Sequence, residues 1–476
     1  MRTQRPLGFL VWTLVSLGPT SLLWAQPARP ARDPDAFLKQ QRALEERVRE
    51  ELDTTAPMTR EVEFDYGGWL SHYTFLWDDG VNSSRTYRQT DLRVWGRLGL
   101  EGGAHQAYAR GYLSYQDWNS GDSYSGRDND WVGMNLERGY YEFDLRNLVQ
   151  FRERRYLDHN LHLKIGRDLV EWGTGYALSI LLDHVAITGE YGDFELTGLI
   201  GKTPGSLNDI DRTRAGNGSS RNFTGFQLRY LGFENHKPFF YAVWQRDQKG
   251  TRYVPNWFQR FEYDSEYFGF GSRGQLVRDL LYSTEWVIQR GESYGDRRFL
   301  HTDDIYAWGF DLRLEYLPRI RTSPRFLLEY MFASGDPDRF ASPTDAIGGN
   351  TEGRDNSFVG FGYRDTGLNF APRLSNIHVW RAGASFYPFE EIELLRKMEL
   401  GTNWFLYHKH HRDGAVSDPT SDQTSGYLGW EMDYYSNWRI TSDLSFTIQY
   451  GLFFPGDAFS DRTTRTYLLT GLTWSF

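Results

Sequence analysis

Tyr306-Ala307-Trp308-Gly309-Phe310-Asp311-Leu312-Arg313-Leu314-Glu315-Tyr316 decides how this chain folds. Every second residue is aromatic or Leu. Between them stand Ala307, Gly309, Asp311, Arg313 and Glu315. Successive side chains of a strand face opposite ways, so the stretch is one strand with a greasy face and a charged face. The same alternation recurs in Leu92–Leu100, Tyr141–Leu145, Leu161–Ile165 and Phe326–Phe332. A strand of a soluble sandwich also alternates, but over about 5–6 residues. These segments run ~10–13, the length a tilted strand needs to cross a bilayer.

We count about 18 such segments on this template. They start near residues 62, 90, 105, 136, 160, 184, 194, 222, 237, 265, 279, 305, 323, 376, 396, 426, 443 and 464. Their connections alternate in length. Gly102-Gly103-Ala104, Gly192-Asp193, Arg278-Asp279 and Thr441-Ser442 lie in short turns. Trp118–Asn135, Thr203–Arg221, Ser334–Ser375 and His410–Ser425 are long loops. Short periplasmic turns and long external loops are the habit of an outer-membrane barrel. One connection, Asn147–His159, is long on the turn side. In the last segment Leu468, Thr470, Leu472, Trp474 and Phe476 share a face, and Phe is terminal. Such a strand closes a barrel with an apolar outer face, and barrel-assembly machinery reads it.

The expected fold is therefore all-β: a transmembrane antiparallel β-barrel over residues 61–476. Composition agrees. The 476 residues hold 17 Trp, 30 Tyr and 32 Phe, with 48 Gly and no Cys. Past residue 25 no run of ~18 apolar residues supports a spanning helix. Disulfide and thiolate chemistry are excluded. A net charge of −10 gives no support for nucleic-acid binding. Arg2 and Arg5 precede an apolar run from Leu7 to Trp24, and Leu23-Trp24-Ala25 offers a cleavage point. Residues 1–25 read as a secretory signal peptide, which exports the chain from the cytoplasm, and the barrel then places it in the bacterial outer membrane. Residues 26–60 read as a periplasmic linker with a short amphipathic helix. Asp33 is its N-cap, Pro34 its first position, and Phe37, Leu44, Val48 and Leu52 its apolar stripe.

A barrel of about 18 strands leaves an aqueous channel, so function rests on the lumen. Alternation turns Arg93, Arg97, Arg110, Arg138, Arg146, Lys164, Arg229, Arg313 and Arg381 inward. It turns Asp65, Glu142, Asp311, Glu315, Glu329, Glu431 and Asp433 inward as well. Arg suits carboxylates through its planar donor fork, and neighbouring acids would hold the guanidinium groups and weaken trapping of a solute. Tyr73, Tyr108, Tyr112 and Tyr140 offer rings and hydroxyls to sugars. His408, His410 and His411 sit near one strand end, but a polar surface loop explains them better than a metal site. No nucleophile stands at meaningful spacing from a base, no phosphate loop is present, and no cofactor is expected. External repeats, the mark of an adhesive barrel, are absent.

Glu137-Arg138-Gly139-Tyr140-Tyr141-Glu142-Phe143, Leu163-Lys164-Ile165-Gly166-Arg167-Asp168 and Trp172-Gly173 resemble a strand pair of the alginate-export outer-membrane porins. Leu328–Asp336, Leu374–Ile377, Tyr407–Lys409, Leu428–Asp433 and Gly451–Phe459 resemble later parts of that family in the same order. The resemblance implies a monomeric 18-stranded barrel that passes an anionic exopolysaccharide, an alginate-like polyuronate. Arginines and a few acids would line its constriction, and a periplasmic synthesis complex would supply the polymer.

Carried over by motif, Arg138, Glu142 and Arg167 fall in the matching strand pair. Arg93, Arg97 and Arg110 fall inward by alternation alone. Arg167 points outward by strict alternation, and reaches the lumen only through a bulge at Gly166. The family can carry a long periplasmic gate between its sixteenth and seventeenth strands; Thr441-Ser442 is too short for one. The basic Asn147–His159 connection, with Arg152, Arg154 and Arg155, is the alternative place for it. The charge of −10 requires acids in the loops around a locally positive neck. A nutrient-uptake or general porin for small anions or oligosaccharides shares this fold and remains the alternative.

Overall fold

The computed structural model describes residues 61–78, 80, 84–123, 129–211, 218–249, 251–254, 257–260, 262–294, 302–339, 342–346, 350 and 353–476. The expected signal peptide and linker lie outside them. Eighteen strands form one closed antiparallel sheet. In chain order they are β1 (Val62–Trp77), β2 (Arg85–Leu100), β3 (His105–Trp118), β4 (Asp130–Asp144), β5 (His159–Trp172), β6 (Leu178–Tyr191), β7 (Phe194–Lys202), β8 (Arg221–Tyr230) and β9 (His236–Asp247). A two-stranded hairpin, β10 (Thr251–Val254) and β11 (Trp257–Arg260), stands apart from the wall. The wall continues with β12 (Asp264–Val277), β13 (Leu280–Ser293), β14 (Asp303–Tyr316), β15 (Arg325–Ala333), β16 (Ile377–Phe386), β17 (Met398–Lys409), β18 (Tyr427–Arg439), β19 (Leu444–Pro455) and β20 (Arg465–Ser475).

Each wall strand pairs with the next wall strand, β9 with β12 across the hairpin. β20 closes the ring on β1, with Leu472 opposite His72 and Leu468 opposite Leu76. Closure satisfies every ladder of backbone groups that lipid could not. The outer face is apolar, and Phe64, Tyr66, Tyr191, Phe194, Trp474 and Phe476 mark its periplasmic rim. The terminal Phe476 backbone exchanges two 2.9 Å hydrogen bonds with Gly68 of β1.

The short turns are where spacing placed them. The long periplasmic connection contains a helix, α1 (Leu145–Glu153). Asp144 caps it by accepting from the Asn147 N–H at 2.8 Å. Arg152 reaches Glu101 of the neighbouring turn with two hydrogen bonds of 2.6 and 2.9 Å. That exposed pair holds the Glu101 carboxyl below its usual range through the hydrogen bond from Arg152.

The lumen is not an open cylinder. Gly173–Ala177, between β5 and β6, folds inward, and so does the 353–370 part of the long loop after β15. Tyr176, Phe358, Phe361 and Phe370 pack inside the ring against Phe223, Tyr241, Tyr267, Tyr407 and Phe453. An apolar core therefore forms inside the barrel, on the wall from β6 to β19.

Candidate functional site

Inward charges separate into two groups. The first lies near mid-height of the wall and is buried. Arg93 bridges Asp91 and Glu137, both at 3.0 Å. Arg110 reaches the same Glu137 at 2.9 Å. Trp69 lies 5.9 Å from the Arg93 guanidinium and 5.5 Å from that of Arg110, and Tyr112 lies 5.7 Å from Arg93. Arg138 donates to Asp168 at 2.8 Å. These three arginine side chains are 3%, 6% and 8% exposed. They shape the local field but offer little surface to a solute.

The second group lines the periplasmic half, from β1 to β8 and again at β14 and β15, and its cations are part-exposed to water. On the wall stand Asp65–Arg97 and Glu142–Lys164, each at 2.7 Å; Arg146, expected on a strand, belongs instead to α1 and reaches Glu190 of β6 at 2.7 Å. The group continues with Glu195–Arg229, then Arg313–Glu315 at 3.1 Å and Arg325–Glu315 at 2.6 Å. The Arg97, Lys164 and Arg313 side chains are 20%, 21% and 29% exposed. Aromatic faces are interleaved among them. Trp95, Tyr108 and Tyr140 stack in succession across β2, β3 and β4, at 6.2 and 5.2 Å between ring centroids. The Lys164 ammonium sits 4.0 Å over the Tyr140 ring.

One expected site residue is placed differently, and a second is engaged by the fold. Arg167 does not enter the lumen. Gly166 has a φ of 137°, yet the registers of β4–β5 and β5–β6 run through it unbroken. Strict alternation therefore holds, and Arg167 pairs outward with Asp183 at 2.6 Å and with the Leu136 carbonyl at 3.0 Å. Arg381 does face inward, but its work is structural. It joins Glu329 of β15 at 3.2 Å to Asp365 of the infolded loop at 2.8 Å.

Alternation alone missed Glu137. Arg110 pairs with Arg138 while the next residue, Gly111, pairs with Leu136. Glu137 is thus the extra residue of a bulge, turned into the lumen beside Arg138. The visible signal was two adjacent charges in an alternating strand.

The inward acids also divide. Those of the second group hold cations; those at mid-height hold the infolded segments. Glu431 accepts the Asn369 and Phe370 N–H groups at 2.6 and 2.9 Å, and Asp433 accepts that of Leu368 at 3.0 Å. Glu285 accepts the Thr174 hydroxyl at 2.6 Å, and Asp311 takes Arg364 at 2.9 Å. Among the described residues no group of His, Asp and Glu is placed to hold a metal ion.

A closed 18-stranded wall, a lipid-facing belt and a charged lumen define an outer-membrane β-barrel channel. A family model described as alginate export matches residues 214–468, more than half of the chain. The chain belongs to the alginate-export family, and its place is the bacterial outer membrane. Its fold is shared with OccK11 (OpdR) of Pseudomonas aeruginosa, at 12% identity and a TM-score of 0.52, covering 88% of this chain and 97% of that one. A BenF-like porin from Pseudomonas fluorescens Pf-5 matches at 11% identity and a TM-score of 0.54, covering 87% and 98%. OpdK of Pseudomonas aeruginosa, solved with vanillate, matches at 12% and 0.51, covering 87% and 99%. No curated protein matches the chain in sequence.

Proposed function

We propose that the channel passively exports a carboxylated polysaccharide of the polyuronate class. The observation that carries this reading is the periplasmic group of part-exposed Arg–carboxylate and Lys–carboxylate pairs, interleaved with stacked rings. An exposed ion pair contributes only about 0–1 kcal/mol, so its cation can exchange one carboxylate for another at little cost. A passing uronate can therefore displace Asp65 from Arg97, or Glu142 from Lys164, whose ammonium Asp168 also holds, and be released as the wall carboxylate returns. That meets the two demands on a pore, attraction enough to admit and weakness enough to release. The ring stack offers faces to the apolar side of a sugar. A solute gradient or a periplasmic synthesis complex supplies the drive, and no catalytic step is involved.

Bilayer conductance tests this. Anions should be preferred over cations, and oligouronate added on the periplasmic side should block the current transiently. The double change Arg97→Ala with Lys164→Ala should lower anion preference by roughly tenfold at low salt, the low end of electrostatic focusing. The effect should shrink near 1 M salt, where the Debye length is about 3 Å. Preference that survives the double change would refute the role of these pairs. The second reading is uptake of small anions. The infolded segments favour it, because they narrow the outer half, and OpdK with its vanillate shares the fold. Block by vanillate but not by oligouronate would decide for uptake.

A further inference from the structure

The lipid-facing wall is not uniformly smooth. A groove of about 540 Å³ runs over β14 to β18 on the outside of the barrel. Its sides are Leu328, Trp380, Trp404, Leu406 and Trp430, and its floor is Ala382. The floor is low because Ala382 stands where both flanking strands carry large side chains: Leu328 and Trp404 lie directly opposite it. The groove runs from Leu312 and Leu314, near the periplasmic end of β14, up to Trp380, Leu406 and Trp430, which lie within a few residues of the external ends of their strands.

A second feature sits at its outer end. His378, His408 and His410 cluster there among aromatic rings. His378 stacks on Trp380 at 5.7 Å, His408 meets Trp380 edge-on at 5.6 Å, and His410 lies 5.8 Å from His378. The His378 Nδ1 is engaged by the Tyr330 hydroxyl at 2.8 Å. The His410 Nδ1 accepts the Gly335 N–H at 3.2 Å, which puts the proton of the neutral ring on Nε2. A neutral His410 thus offers an Nε2–H donor at the membrane interface.

We propose that this groove is a specific seat for one phosphorylated glycolipid of the outer leaflet, with an acyl chain along Ala382 and a phosphate at the histidines. Both halves of the site are needed to name the occupant. A free phosphate leaves the apolar groove unfilled, and a bare hydrocarbon leaves the His410 Nε2–H without an acceptor. The seat is independent of which solute the channel carries.

Native mass spectrometry of the full-length barrel tests the seat, with diphosphorylated lipid A, its dephosphorylated form and dioleoylphosphatidylglycerol as probes. One diphosphorylated lipid A should persist per barrel after detergent removal, in preference to the other two. Ala382→Trp fills the floor and should cut retention by roughly tenfold, equivalent to about 1.4 kcal/mol. Ala109→Trp, on the outward face of β3, should leave it unchanged. His378→Ala with His410→Ala should reduce the diphosphorylated lipid to the level of the dephosphorylated one. Correct assembly is checked by heat-modifiable migration. If Ala382→Trp does not assemble, Leu406→Trp narrows the same groove and carries the same expectation. Equal retention of all three lipids, or retention unchanged by the groove variants, would overturn the proposal.

Discussion

Glu137 shows how much one side chain decides. Its carboxylate is shared by Arg93 and Arg110, and all three side chains are less than a tenth exposed. Breaking a buried pair by removing one partner costs about 3–5 kcal/mol, because a buried charge is left uncompensated. Glu137→Ala should therefore lower unfolding stability in urea by roughly that amount. Glu137→Gln, which keeps an acceptor, should cost less. A loss below about 1 kcal/mol for the alanine would show that the arginines are compensated without it. His410 acts at the same scale. Burial, with His411 and His378 adding to it, pushes its pKa down to about 4. The folded form is then neutral where the unfolded ring, near 6.5, begins to take a proton. Stability is fully present above pH ~6.5 and is lost as pH falls toward 4. The lost contact is the acceptance of the Gly335 N–H. Exchange of that amide should quicken over this window, and should become independent of pH in His410→Gln after correction for intrinsic exchange.

At the scale of elements, alternation located every strand of the wall, and the starts read from sequence fall within a few residues of those in the structure. The largest differences are at β2, β4 and β6, each of which begins earlier at its outer end. There the period-2 signal fails for physical reasons. The outer end of β2 is polar on both faces, β4 carries bulges, and Leu178-Ser179-Ile180-Leu181-Leu182 of β6 has an apolar inner face because the infolded loop packs on it. A loop's length is legible in its sequence, but its path is not. The long loop after β15 enters the lumen because Glu431, Asp433 and Asp311 hold it there. Glu431→Ala removes the acceptor of two backbone N–H groups, each worth about 1.5–3 kcal/mol to a charged partner. The loop should leave the lumen more often, and single-channel recordings should show larger or longer openings. Unchanged conductance and open time would mean that the aromatic packing of Phe358, Phe361 and Phe370 holds the loop without it.

The whole molecule reconciles an acidic chain with a cation-lined pore. A net charge of −10 does not need a bare positive neck, because each cation of the periplasmic group is paired with an acid. Sequence by itself determined the closed barrel, a strand count of about 18, its lipid face and the types of charge that turn inward. Those follow from strand periodicity and from the rule that no backbone edge is left open in lipid, and both are local properties of the chain. Only the tertiary structure decided which charges meet, that Glu137 turns in and Arg167 turns out, and that the outer half of the lumen is filled. Those depend on cross-strand register and on contacts such as Thr174 with Glu285, which lie 111 positions apart. Periodicity within a strand carries no information about a partner so distant.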